Sequence, residues 1–81
     1  MRWLQSFKTF CINHDVHMLP EDFRYLTKAL NNLHIDDQRK IAYEYYNAWI
    51  NAMEECTIPS MSQNYGRKRA NEYIGDVFKK K

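Results

Sequence analysis

Hydrophobic positions recur along this chain at helical spacing, in four stretches divided by short polar or proline-bearing breaks. In the first stretch Trp3, Leu4, Phe7, Phe10 and Cys11 fall at i, i+1, i+4, i+7 and i+8, one stripe of a helix with a 3.6-residue period. That helix is expected to end near Asn13 to Val16. Met18-Leu19-Pro20-Glu21-Asp22 reads as the next helix start, because proline suits the first turn and acidic side chains suit the positive end of the helix dipole. Phe23, Leu26, Leu30 and Leu33 then form a clean apolar face, with Arg24, Lys28, Asn31 and Asn32 turned outward.

A break at Asn31-Asn32-Leu33-His34 precedes a third helix, for which Asp36 is the expected N-cap and which runs to about Cys56. Its main stripe is Ile41, Ala42, Tyr45, Ala48, Trp49, Ala52, Met53 and Cys56, while Tyr43, Tyr46 and Ile50 spread over an adjoining face. A helix apolar so far around its circumference belongs at the centre of a bundle or beneath a partner. Thr57-Ile58-Pro59-Ser60 breaks the pattern again, and Ser60 or Ser62 is placed to cap a fourth helix carrying Tyr65, Ala70, Tyr73, Ile74, Val77 and Phe78. Gly66 and Ala70 permit close approach of a neighbouring helix, and Gly75 is placed to end or kink the fourth. The expected fold is an all-α bundle of about four helices with the long third helix as its hub.

Composition agrees with that reading. Eighty-one residues leave room for a single helical domain, residues 1–81, and two Gly and two Pro are too few for the many turns of a small β-sandwich or barrel. Aromatic residues make 15% of the chain, more rings than so small a core accommodates. The net charge of +2 conceals an uneven distribution. Between residues 36 and 56, Arg39 and Lys40 stand against Asp36, Asp37, Glu44, Glu54 and Glu55, a net −3. In the last 25 residues Arg67, Lys68, Arg69, Lys79, Lys80 and Lys81 stand against Glu72 and Asp76, a net +4. Lys79 to Lys81 read as a solvated basic tail.

Candidate chemistry is sparse. Cys11, His14 and His17 are spaced by three, and a thiolate–imidazole zinc site would need His34 or Cys56 brought to them by the fold, but paired-ligand spacing is missing and ordinary reduced thiols are the preferred reading. No metal and no cofactor are expected. Glu54 and Glu55 are adjacent and so diverge on a helix, and there is no glycine-rich phosphate loop or G-x-S-x-G nucleophile, so the chain is not read as an enzyme. The N-terminus is amphipathic where a signal peptide is continuously apolar, and no run approaches the roughly 18 apolar residues of a membrane span; a cytoplasmic location without membrane insertion is expected.

Two binding readings remain. Tyr43, Tyr46, Tyr25 and Ile50 are candidates for a protein-binding face or a homodimer contact, since tyrosines offer large area with few rotors and a polar handle. Trp3, Phe7, Phe10, Phe23 and Trp49 are assigned to the core. The alternative is nucleic-acid binding by Arg67, Lys68, Arg69, Lys79, Lys80 and Lys81, with Tyr65 and Tyr73 nearby for stacking. Successive helical residues lie about 100° apart, so Arg67, Lys68 and Arg69 fan around the helix, and at least one is expected to pack along the bundle or pair with helix-three acids. A helix-turn-helix is disfavoured because Tyr43, Tyr46, Trp49 and Ile50 make the third helix too apolar for a DNA groove.

Tyr45-Tyr46-Asn47-Ala48-Trp49, followed by Asn64-Tyr65-Gly66-Arg67-Lys68-Arg69-Ala70-Asn71, resembles a pattern in small phage and prophage accessory proteins: an aromatic helix, then a basic Asn-x-Gly-Arg-(Arg/Lys)-x-Ala-Asn helix. The resemblance covers about the second half of the chain, and Tyr73 stands where those proteins more typically have Trp. It implies a non-enzymatic product acting inside a bacterial cell by binding a host or phage protein, such as a nucleic-acid-processing or defence enzyme. A small structural or assembly subunit is a third reading.

Overall fold

The computed structural model describes residues 2–79, so Lys80 and Lys81 of the expected basic tail lie outside the described residues. The fold is all-α: α1 is Leu4–Asn13, α2 is Pro20–Leu30, α3 is Ile35–Glu55 and α4 is Ser62–Lys79, with a short 3₁₀ turn at Pro59–Met61 leading into α4. No strand occurs among the described residues, and none of their helices is long and apolar enough to cross a membrane.

Each helix end has an identifiable cause. Beyond α1, Asp15 adopts a left-handed backbone with φ of 66°, which turns the chain so that the Val16 N–H donates to the Cys11 carbonyl at 2.9 Å and the Asp15 N–H to that of Ile12 at 3.3 Å. These are the paired bonds of a Schellman termination, and Val16 and Cys11 are both buried beneath it, as that motif's apolar contact requires. At the start of α2 the Asp22 carboxylate reaches back to the Leu19 N–H at 2.8 Å. The third helix departs from expectation: it begins at Ile35, and the cap is His34, whose Nδ1 accepts from the Asp36 N–H at 3.2 Å. Asp36 thus sits inside the first turn, where its charge still favours the dipole. Neither serine caps α4. The Ser62 hydroxyl donates to the Pro59 carbonyl at 3.0 Å, and the 3₁₀ turn delivers the chain to the helix. Gly75 does not end α4, which continues to Lys79.

The most extensive helix pair is α3 with α4, so the third helix shares the centre of the bundle with the fourth. Their approach is set by small residues. Ala42, Ala52 and Ala70 are buried, and a Cβ on Gly66 would fall inside the Trp49 indole, 2.7 Å from Nε1. Trp49, Tyr45, Leu26, Leu30, Ile74, Val16 and Cys11 are the fully buried large side chains. The interior is pinned by polar bonds. Trp49 Nε1 donates to Gln63 Oε1 at 3.0 Å, Gln63 Nε2 donates to the Asp15 carbonyl at 2.6 Å, and the His17 N–H donates to Gln63 Oε1 at 3.0 Å. Gln63 therefore ties the α1–α2 loop to the core tryptophan.

The aromatic assignment needs correcting. Trp49 belongs to the core as expected, but Trp3, Phe7, Phe10 and, on α2, Phe23 are only half-buried: Trp3 and Phe7 pack against the core from one side and Phe10 packs against Tyr46.

Candidate protein-binding groove

The surplus rings collect between α1 and α3. Trp3, at the N-cap of α1, and Phe7 and Phe10 of α1 face Arg39, Lys40 and Tyr43 of α3 across an open groove of about 540 Å³. The rings are arranged edge to face: Trp3 and Phe7 at 5.8 Å and 74°, Phe10 and Tyr46 at 4.8 Å and 61°. Tyr43 stacks on Tyr46 at 5.9 Å and 28° yet remains 55% exposed, so the stack holds a large ring at the lip of the groove. At the other end Trp3 Nε1 donates to Gln38 Oε1 at 3.1 Å, and Gln38 Nε2 donates to the Leu30 carbonyl at 3.0 Å. Arg39 and Lys40 are exposed on the rim, and neither forms an ion pair among the described residues.

Comparison with protein-family models, with curated proteins and with solved structures gave no match.

The four residues expected to form one binding face are distributed over three places. Tyr43 and Tyr46 are together in the α1–α3 groove, with Tyr46 half-buried as a support. Ile50 is half-buried beside Met53 and Pro59 in a separate depression, and Tyr25 lies between α2 and α4 with Ala29, Ile74 and Phe78. Trp3, Phe7, Phe10, Arg39 and Lys40 were the residues left out. The available signal was that Arg39 and Lys40 are the only cations of the acidic middle.

The basic run is largely consumed by the fold. Arg67 Nε donates to the buried Asp22 carboxylate at 2.9 Å, Nη1 to Asn64 Oδ1 at 2.8 Å, and the guanidinium lies over the Trp49 ring at 5.2 Å from its centroid. Arg67 thus packs along the bundle and takes its acid from α2. Arg69 does meet a helix-three acid, Glu55, at 3.7 Å, and also the Tyr65 hydroxyl at 3.3 Å. Lys68 and Lys79 are exposed.

Cys11, His14 and His17 do not converge. Burial pushes the Cys11 thiol up to about 12, His14 Nδ1 donates to the Phe10 carbonyl at 2.8 Å, and His17 faces Asp15 at 3.1 Å. Among the described residues no group of three or more His, Cys, Asp or Glu side chains is placed to hold a metal ion.

Residues 45–49 and 64–71 contribute to the seam between α3 and α4. The Tyr45 hydroxyl donates to Asn71 Oδ1 at 2.9 Å, Trp49 covers Gly66 and Arg67 covers Trp49, and Ala70 is fully buried. The pattern is therefore a packing signature in this chain.

Proposed function

We propose that this chain is a non-enzymatic interaction protein that binds another protein through the α1–α3 aromatic groove. The observation that carries the reading is Tyr43: a ring 55% exposed, stacked on its neighbour Tyr46, beside apolar walls and two cations, Arg39 and Lys40, that form no ion pair among the described residues. Such preformed aromatic sites concentrate binding energy because little side-chain freedom is lost on contact. The interior polar groups, by contrast, are committed to structural hydrogen bonds, Asp22 to Arg67 and Tyr45 to Asn71 among them. The resemblance to phage and prophage accessory proteins suits a role in a bacterial cytoplasm, with a host nucleic-acid-processing or defence enzyme as the kind of partner modulated.

Affinity capture from nuclease-treated bacterial lysate, with light scattering on the purified chain, tests the reading. Tyr43→Ala is expected to lose the captured protein, or to dissociate a homodimer if the partner is a second copy. If both capture and oligomeric state are indifferent to Tyr43→Ala, the groove is not the site. A light-scattering mass well above a dimer would favour an assembly subunit. The nucleic-acid reading now rests on Lys68, Lys79 and the partly engaged Arg69, which lies over Tyr65 at 5.7 Å. It requires a log-linear loss of affinity with salt, and a flat response ends it.

A further inference from the structure

We propose that the α1–α3 groove takes a short acidic peptide segment, with an aromatic or long aliphatic side chain seated against Phe7 and Phe10 and a carboxylate within about one helical turn of it facing Arg39 and Lys40. The inference deepens the protein-binding reading and rests on it.

Charge complementarity identifies the occupant. The groove walls are apolar and aromatic, no acidic side chain lines them, and Arg39 and Lys40 stand on one rim. Elsewhere in the fold the arginines of α4 already have carboxylate partners: Arg67 has Asp22, and Arg69 has Glu55 and Glu72. Arg39 and Lys40 have none among the described residues, although Asp36 precedes Lys40 by four positions on the same helix, the spacing at which such pairs form. Two exposed cations beside an apolar cleft are matched by a side chain that is apolar at its anchor and anionic nearby.

The same surroundings disfavour a phosphodiester chain. Asp36 and Asp37 are exposed in the first turn of α3, immediately before the two cations, and residues 36–56 carry a net −3. The positive field is consequently local. At physiological ionic strength charges are screened over about 8 Å, so one or two carboxylates held close to Arg39 and Lys40 gain from it, while a continuous polyanion also meets the acidic first turn. Preorganisation favours a short segment, since Gln38 fixes Trp3 and Tyr46 fixes Tyr43 before anything binds.

Selection of a displayed random-peptide library on the full-length chain tests this, with Arg39→Glu/Lys40→Glu as a counter-target and Arg39→Gln/Lys40→Gln to separate lost charge from reversed charge. All these positions are exposed, and circular dichroism with thermal melting verifies that the variants fold. The expected result is a set of peptides with Asp or Glu within four positions of Trp, Phe or Leu. Their affinity should fall roughly tenfold or more on the charge-reversed chain, less on the glutamine chain. They should also perturb the fluorescence of half-exposed Trp3. Selection of neutral or basic peptides that Tyr43→Ala still releases overturns the acidic preference and leaves the groove reading standing. Recovery of no peptide, while a lysate partner is still lost with Tyr43→Ala, overturns the short-segment occupant alone. Tighter binding of a mixed-sequence DNA or RNA oligonucleotide through Arg39 and Lys40 overturns it in favour of a polyanion. If Tyr43→Ala changes neither peptide binding nor capture, both readings fall.

Discussion

Gly66 and Gly75 occupy the same helix and have opposite tolerances for a methyl group. At Gly66 an added Cβ runs into the Trp49 indole, whereas at Gly75 it meets nothing within 4 Å. Gly66→Ala should therefore cost about 2 kcal/mol through overpacking, since Trp49 is fully buried and has nowhere to move. Gly75→Ala should add about 0.5–1 kcal/mol by removing the backbone entropy that glycine carries in a helix interior. Urea midpoints for the two variants check both signs, and equal shifts would refute the assignment. Ala70 four residues on marks Gly66 as a contact position, but Gly75 invites a terminator reading that only the continuing hydrogen-bonded turns to Lys79 remove.

At the scale of elements, the helices themselves are legible because each carries a 3.6-residue stripe, while their ends and partners are less so. The cap on α3 is an imidazole nitrogen, an acceptor that helix-start preferences place behind Asp, Ser and Asn. The end of α1 depends on a left-handed Asp15, which Asp adopts more readily than most residues but does not announce. Arg67 and Asp22 are 45 positions apart, and nothing local selects Asp22 over the nearer acids of α3. The carboxylate is 5% exposed and the guanidinium 22%, so removing one partner strands a largely buried charge. Arg67→Ala and Asp22→Ala are each expected to lose about 3 kcal/mol of folding stability. In a double-mutant cycle the combined variant should lose clearly less than the sum. Strict additivity would show that the pair is not coupled.

For the whole molecule, the sequence anticipates more rings than the interior takes, and Tyr43 and Tyr25 are exposed as part of that excess, whereas Tyr46 packs against the core. It misplaces the other wall, because a stripe of Trp3, Phe7 and Phe10 has the same spacing whether a helix is sealed inside a bundle or laid along its edge. At the basic end, the expectation that at least one cation packs along the bundle or meets a helix-three acid is met by Arg67 over Trp49 and Arg69 with Glu55, while the α2 partner of Arg67 is not legible locally. The rings that do enter the interior make the fold sensitive to alkali. Burial pushes the Tyr45 and Tyr73 phenols above their ordinary value of about 10, and hydrogen bonding to Glu44 pushes Tyr73 further. Because these pKa values are raised in the folded state, their contribution is complete below pH of about 10 and drains away as unfolded chains ionise above it. Melting temperature should fall steeply from there upward, with a late phenolate absorbance phase accompanying loss of helical ellipticity. Titration of every phenol in one step, with ellipticity intact, would contradict this. A different consequence follows from Gln63 and Arg67, which fasten the α1–α2 loop and the start of α2 from the far end of the chain. A ribosome that has released residues 1–61 has released three helices but neither Gln63 nor Arg67, so the α1–α2 loop and the start of α2 gain these two fastenings only as α4 emerges.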